Sequence, residues 1–215
     1  TTYNLMAIAF DYTTGSSRGS ATSLTYPHTC TGSNLVLLVN VMRLNPNNIT
    51  GVTYNAVAMT SLISKEGTGT WGSQIWGLLA PATGANDVVV SSNTTTAIFS
   101  SSSSYTGVLQ SDLPDSSNSI QDGTSPYDIT LTSVADNCWG VIGHGGDQSG
   151  LAAGTGTTQR DVRVGQEGIF DNNAAKTPAG AIALQTTTTL DGASALVGVT
   201  IAPAPAGFIP QIIFS

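Results

Sequence analysis

His144 and Asp147, in the stretch GHGGDQSG, are the pair in this chain whose types and spacing most resemble a reaction centre. An imidazole and a carboxylate can share a metal ion or a proton, and the surrounding glycines let a ligand approach the backbone. No third ligand accompanies them, however, and a plain hairpin connection has the same composition. His28 and Cys30 form a second pair. Residues two apart on a strand share a face, so a base could lie beside a thiol. A nucleophile also needs an oriented base, and SLTYPHTC reads as the end of a strand. Glycoside hydrolysis needs two carboxylates flanking one bond. The only glutamates are Glu66 and Glu167, both in stretches that read as loops. The eleven Asp sit mostly at turns (Asp87, Asp115, Asp122, Asp136, Asp191), where side-chain bonding to the backbone accounts for them. GxSxG, HExxH, P-loop and EF-hand patterns do not occur, so the sequence points to no enzyme, no cofactor and no metal.

Aromatic rings offer another route to function. Trp71 lies in the Gly/Thr stretch KEGTGTWGS, which reads as a loop, where an exposed ring could stack on a sugar or anchor a partner. Packing over one end of the fold is the rival reading. Trp76 and Trp139 lie inside strand-like runs and read as core. The candidate glycan or interface contacts are therefore Trp71, His144 and Asp147.

The elements that must position these residues are strands. LVLLVNVMR, GVTYNAVAMTSLISKE and SQIWGLLAPATGANDVVVSS, between Leu35 and Ser92, are short apolar runs rich in β-branched and aromatic residues. Asn, Gly or Pro closes each one. Leu35 to Arg43 is almost continuously apolar with a single Asn, the pattern of a strand covered on both faces. Asn55 suits a left-handed hairpin turn. The serine run in AIFSSSSSYTGVL reads as a solvent-facing strand or a loop. Ser111 to Ser125 is the longest irregular stretch and a natural crossover between sheets. About a dozen short strands follow one another without helical spacing. The pattern predicts an all-β fold with almost no helix: a two-sheet, jelly-roll-like β-sandwich over residues 1–202.

Composition agrees. Charged residues are 9% of the chain, against roughly 25% in an ordinary globular protein. Ser and Thr occupy 54 of 215 positions, and two Glu and two Lys leave few strong helix formers. A net charge of −7 with six basic residues argues against nucleic acid and against an anionic membrane surface. No apolar run reaches the length of a membrane-spanning helix. Cys30 and Cys138 form no CxxC motif; a disulfide and two buried thiols are both left open. Residues 203–215 read as a Pro-rich linker (APAPAG) and a terminal apolar strand. In that strand Ile209, Ile212, Ile213 and Phe214 either close the chain's own sheet or add to the edge of another subunit.

The order SLTYPHTCTGSNLVLLVNV, VTYNAVAMT, IWGLLAPATGANDVVVS and SYTGV, covering Ala21 to Gln110, resembles a family of jelly-roll-like modules. These occur in phage virion proteins and in surface proteins of environmental bacteria. KTPAGAIALQT echoes the later half of the pattern, and Ala56 stands where the pattern usually has Gly. The resemblance implies a β-sandwich used for virion structure, adhesion or glycan contact, and it supplies no catalytic residues. The expected partners are other copies of the chain, other virion or surface proteins, and glycans, in a virion or extracellular setting.

Overall fold

In the computed structural model, residues 5–44, 49–67 and 71–206 are described. They contain fifteen strands and no helix, so the chain is the all-β sandwich its patterning predicts. Three sheets build it. The seven-stranded sheet holds β1 (Ala9–Cys30), β2 (Val36–Leu44), β3 (Ile49–Tyr54), β4 (Val57–Ala58), β5 (Thr60–Glu66), β6 (Trp71–Leu79) and β7 (Gly84–Thr106). The five-stranded sheet runs in the order β12 (Thr158–Arg163), β13 (Glu167–Asp171), β10 (Trp139–Gly146), β15 (Ser194–Ile201), β8 (Ser116–Asp122). The third orders β11 (Ala152–Ala153), β14 (Ala181–Thr187), β9 (Tyr127–Thr132).

The long strands β1 and β7 pair along their whole lengths, Ala9 opposite Thr106 and Cys30 opposite Gly84. Register shifts between Arg18 and Ser23 interrupt the ladder midway, and such bulges let a ribbon bend. The first half of β7 pairs with β3 and the second half with β2. The ribbon doubles back, so that Tyr26 Oη meets Ser100 Oγ at 2.8 Å. Between the two halves lies a core of Leu37, Val39, Val41, Tyr54, Val88 and Val90.

Strand alternation then sets two further cores. Val36 and Leu38, on the other face of β2, meet Val141, Ile169, Val197 and Val199 of the five-stranded sheet. Ile142, Phe170 and Leu196, on the reverse face of that sheet, meet Ile129, Leu131, Ile182 and Leu184 of the third. Four layers result where the sequence suggested two sheets. Leu35 to Arg43 is apolar on both faces because it lies between two of these cores.

Several local expectations hold. Asn55 (φ 49°) and Ala56 (φ 61°) form a two-residue left-handed turn joining β3 to β4, and Trp139 is buried in the second core. Others need correction. Ser100–Ser104 is neither exposed nor a loop: all five serines are buried, with β7 held between β1 and β2. His144 is not in a loop, because β10 continues through Gly146. The start of the presumed linker is docked on the body. Pro203 bridges to Val108 and Pro205 to Leu5, and Ala204 N–H donates to Gly107 O at 2.8 Å. Ile209, Ile212, Ile213 and Phe214 lie outside the described residues.

Candidate functional site

His144 and Asp147 are not brought together. His144 is fully buried on the face of β10 toward the third sheet, its Nδ1 2.7 Å from Thr186 Oγ1 and its ring edge-on to Tyr127 at 4.9 Å. Its Nε2 has no polar partner, and burial pushes the imidazole down to about 3. It is therefore a neutral core side chain at neutral pH. Asp147 lies past the end of the strand, exposed to solvent. The glycines that suggested a loop serve packing: a side chain at Gly143 or Gly145 would run into Asn40 or Met42 of the facing sheet. Among the described residues no group of three or more His, Cys, Asp or Glu is placed to hold a metal.

His28 and Cys30 do share a face, inside the doubled ribbon, and the polar network around them is extensive. Ser104 Oγ donates to Asp11 Oδ2 at 2.7 Å and lies 3.0 Å from His28 Nε2. The hydroxyl has one proton and Asp11 takes it, so His28 Nε2 must carry its own proton and donate to Ser104. That leaves His28 Nδ1 as the acceptor, with Ser102 Oγ at 2.9 Å and Thr14 Oγ1 at 3.0 Å. The residue types are those of a hydrolytic triad in the wrong order. In a triad the imidazole stands between acid and hydroxyl and withdraws the hydroxyl proton; here the hydroxyl stands between acid and imidazole. Burial lowers the His28 imidazole to about 4, against the opposing pull of Asp11, and burial raises the Cys30 thiol. Neither Ser104 nor Cys30 is an activated nucleophile in this arrangement. Asp11 also accepts from Thr31 N–H at 2.9 Å and from the Thr31 hydroxyl, which ties the two ends of β1 together.

The most unusual group is one the sequence placed in a loop. Glu167 opens β13 and points into the second core, fully buried. Its Oε1 accepts from Asn40 Nδ2 at 2.7 Å and from Ser101 Oγ at 2.5 Å, and its Oε2 has no partner. Asn40 is the single Asn of the apolar strand β2. Its amide also reaches His144 O at 3.2 Å and Gly168 O at 3.1 Å, and its Oδ1 accepts from Ser73 Oγ at 2.8 Å. Burial pushes the Glu167 carboxyl up to about 8, with the Ser101 and Asn40 hydrogen bonds opposing. It is thus mostly a neutral acid at pH 7, its proton on the unpartnered oxygen. Asn40 carried the one legible hint: a lone amide in a strand covered on both faces must be hydrogen-bonded.

Further along the same joint, Arg160 pairs with buried Asp171 (2.7 and 2.9 Å), and Tyr105 Oη donates to Asp171 at 2.8 Å. The guanidinium lies 4.0 Å from the centre of the Phe10 ring. Asp171 is thus a buried charge with a partner on each side, as its burial requires.

Trp71 is the first residue of β6 and half-buried, not a loop residue. Cys30 and Cys138 do not form a disulfide. Each is a separate buried thiol, and burial, then the neighbouring Asp115 carboxylate, pushes Cys138 up to about 12. The largest open concavity is a cleft of about 480 Å³ beside the docked end of the chain. Leu5, Ile8 and Trp139 form its apolar wall, and Asn137 and Asn173 contribute amides. No protein-family model and no curated protein matches the chain.

Proposed function

We propose that the chain is a structural, adhesive subunit of an extracellular or virion assembly, of the phage decoration or fibre kind, that self-associates through strand edges and termini. One observation carries the reading. β1 is a 22-residue strand whose only strand partner among the described residues is β7. Its other edge therefore presents backbone groups along a strand rich in Ser, Thr and Gly, a template for adding another strand. The interior supports the same role, because its polar groups are tied into networks that join the layers, as suits a stiff building block. The sparse surface charge and the resemblance of Ala21 to Gln110 to virion and surface modules point the same way. Deleting Gly207–Ser215 tests the part assigned to the terminus. The truncated chain should keep its thermal transition and lose assembly, seen by light scattering and electron microscopy. A truncated chain that assembles normally removes the terminus from the proposal.

A carbohydrate-binding role is the second reading, favoured by the cleft in which two Asn amides flank an apolar wall. A glycan array with monomeric protein separates the two. Specific glycan binding by a monomer supports this reading, and a glycan-silent oligomer supports the first.

A further inference from the structure

We propose that Glu167 makes the joint between the seven-stranded and five-stranded sheets a protonation-gated latch, closed when the carboxyl is neutral and loosened when it ionises. This goes beyond the assembly reading and does not depend on it.

The geometry carries the inference. Glu167 projects from the five-stranded sheet and is gripped by side chains of the other: Asn40 of β2 and Ser101 of β7, with Ser73 of β6 fixing Asn40 from behind. The network is thus the polar rivet of an otherwise apolar interface. Only one carboxyl oxygen is satisfied. A neutral acid leaves a single unpartnered O–H there, whereas a carboxylate leaves a buried charge facing no cation of its own.

The surrounding charges reinforce the asymmetry. From β12, Asp161 and Arg163 face Glu167, but they are paired with each other (Arg163 Nε to Asp161 Oδ2, 2.6 Å), so the guanidinium is already occupied. From β1 the nearest titratable group is the Tyr26 phenol, on the far side of β7 and bonded to Ser100. Along β13, Asp171 is closed off by Arg160 and Tyr105. His144 of β10 points to the opposite face of the sheet.

When the joint opens, Glu167 meets water and titrates as an ordinary carboxyl, near 4.5; closed, it holds its proton up to about 8. The opening constant therefore rises tenfold per pH unit between those values and levels off above them. The side-chain amide protons of Asn40 sit at the latch and report its opening. Their exchange, followed by NMR on ¹⁵N-labelled protein from pH 5 to 9.5 and corrected for intrinsic chemistry, should show that rise and plateau. Glu167→Gln should flatten the rise. Ser101→Ala, which removes a hydrogen bond that favours the ionised form, should move the plateau to higher pH. Asp161→Asn, which frees Arg163 to attract the carboxylate, should move it lower. If Glu167→Gln does not fold, the last two decide: opposite shifts sustain the latch, and unmoved or parallel shifts overturn it. A wild-type profile that is flat, or one that Glu167→Gln copies, also overturns it.

Discussion

Gly143→Ala is the substitution that probes the inter-sheet joint most sharply. A Cβ at Gly143 would fall well inside contact distance of Asn40 Oδ1 and Cγ, and 3.1 Å from Asn40 Cβ. Asn40 cannot swing aside cheaply, because it makes three donations (to Glu167, His144 O and Gly168 O) and accepts one bond from Ser73. Displacing it forfeits these bonds at about 1 kcal/mol each and strips Glu167 of a donor in a buried site, so the loss should be about 4 kcal/mol. That is at the extreme of single substitutions and a large part of a domain's usual stability of about 5–15 kcal/mol. Urea unfolding measures it: the midpoint should fall steeply with the slope unchanged. Gly123→Ala, where a Cβ meets nothing within 4 Å, should stay within about 0.5 kcal/mol of wild type. In a double-mutant cycle, Asn40→Ala alone should be costly, while Gly143→Ala added to it should cost little more, a coupling of about 3 kcal/mol. A loss below about 1 kcal/mol for Gly143→Ala, or simple additivity with Asn40→Ala, would refute the reasoning.

Global stability should peak near pH 6.5. His28 and His144 fold with pKa values of about 4 and 3 against 6.5 unfolded, so their contribution is present above 6.5 and lost as pH falls toward 4 and 3. Glu167 folds at about 8 against 4.5, so its contribution is full below 4.5 and lost as pH rises to 8. From 6.5 to 8 only Glu167 acts, at about 1.4 kcal/mol per unit, and from 4.5 to 6.5 the two histidines outweigh it. Thermal scans across pH should show this dome, with the alkaline decline missing in Glu167→Gln; maximal stability at pH 8 or above would contradict it. Cys30 and Cys138 should be silent to a thiol reagent in the native state, and both should react on unfolding without reductant; a native mass 2 Da short would reveal a disulfide instead. Ala56→Gly should stabilise by up to about 1 kcal/mol in urea unfolding, because Ala56 holds a left-handed conformation (φ 61°) that Gly adopts without strain.

Much of the fold was legible because strand periodicity and turn chemistry are local. Leu35 to Arg43 announced a doubly covered strand, and Asn55 announced its turn. The number of layers was not legible, since a strand buried on both faces reads the same whichever sheets cover it. The serine run misled because hydroxyls resemble a wet surface. At the centre of a sheet each can bond a neighbour, as Ser101 does with Glu167 and Ser102 with Thr14 O. Glu167 was missed because a lone acid between polar residues looks like a turn, and its partners Asn40 and Ser101 are 127 and 66 positions away. His144 looked accessible because glycine marks both flexible loops and places where two sheets approach closely. The Asp11–Ser104–His28 order depends on which atom faces which, and no spacing in one dimension reveals that.

Association through the open edge of β1 is the claim on which the functional reading rests, and the molar mass in solution tests it most directly. Light scattering across a concentration series should give a discrete oligomer or growing arrays for the wild-type chain. Ser17→Lys with Ser20→Lys, both at exposed positions of β1, should return it to a monomer with an unchanged fold. A wild-type chain that is monomeric at every concentration, or an oligomer indifferent to the edge lysines, would contradict assembly through β1.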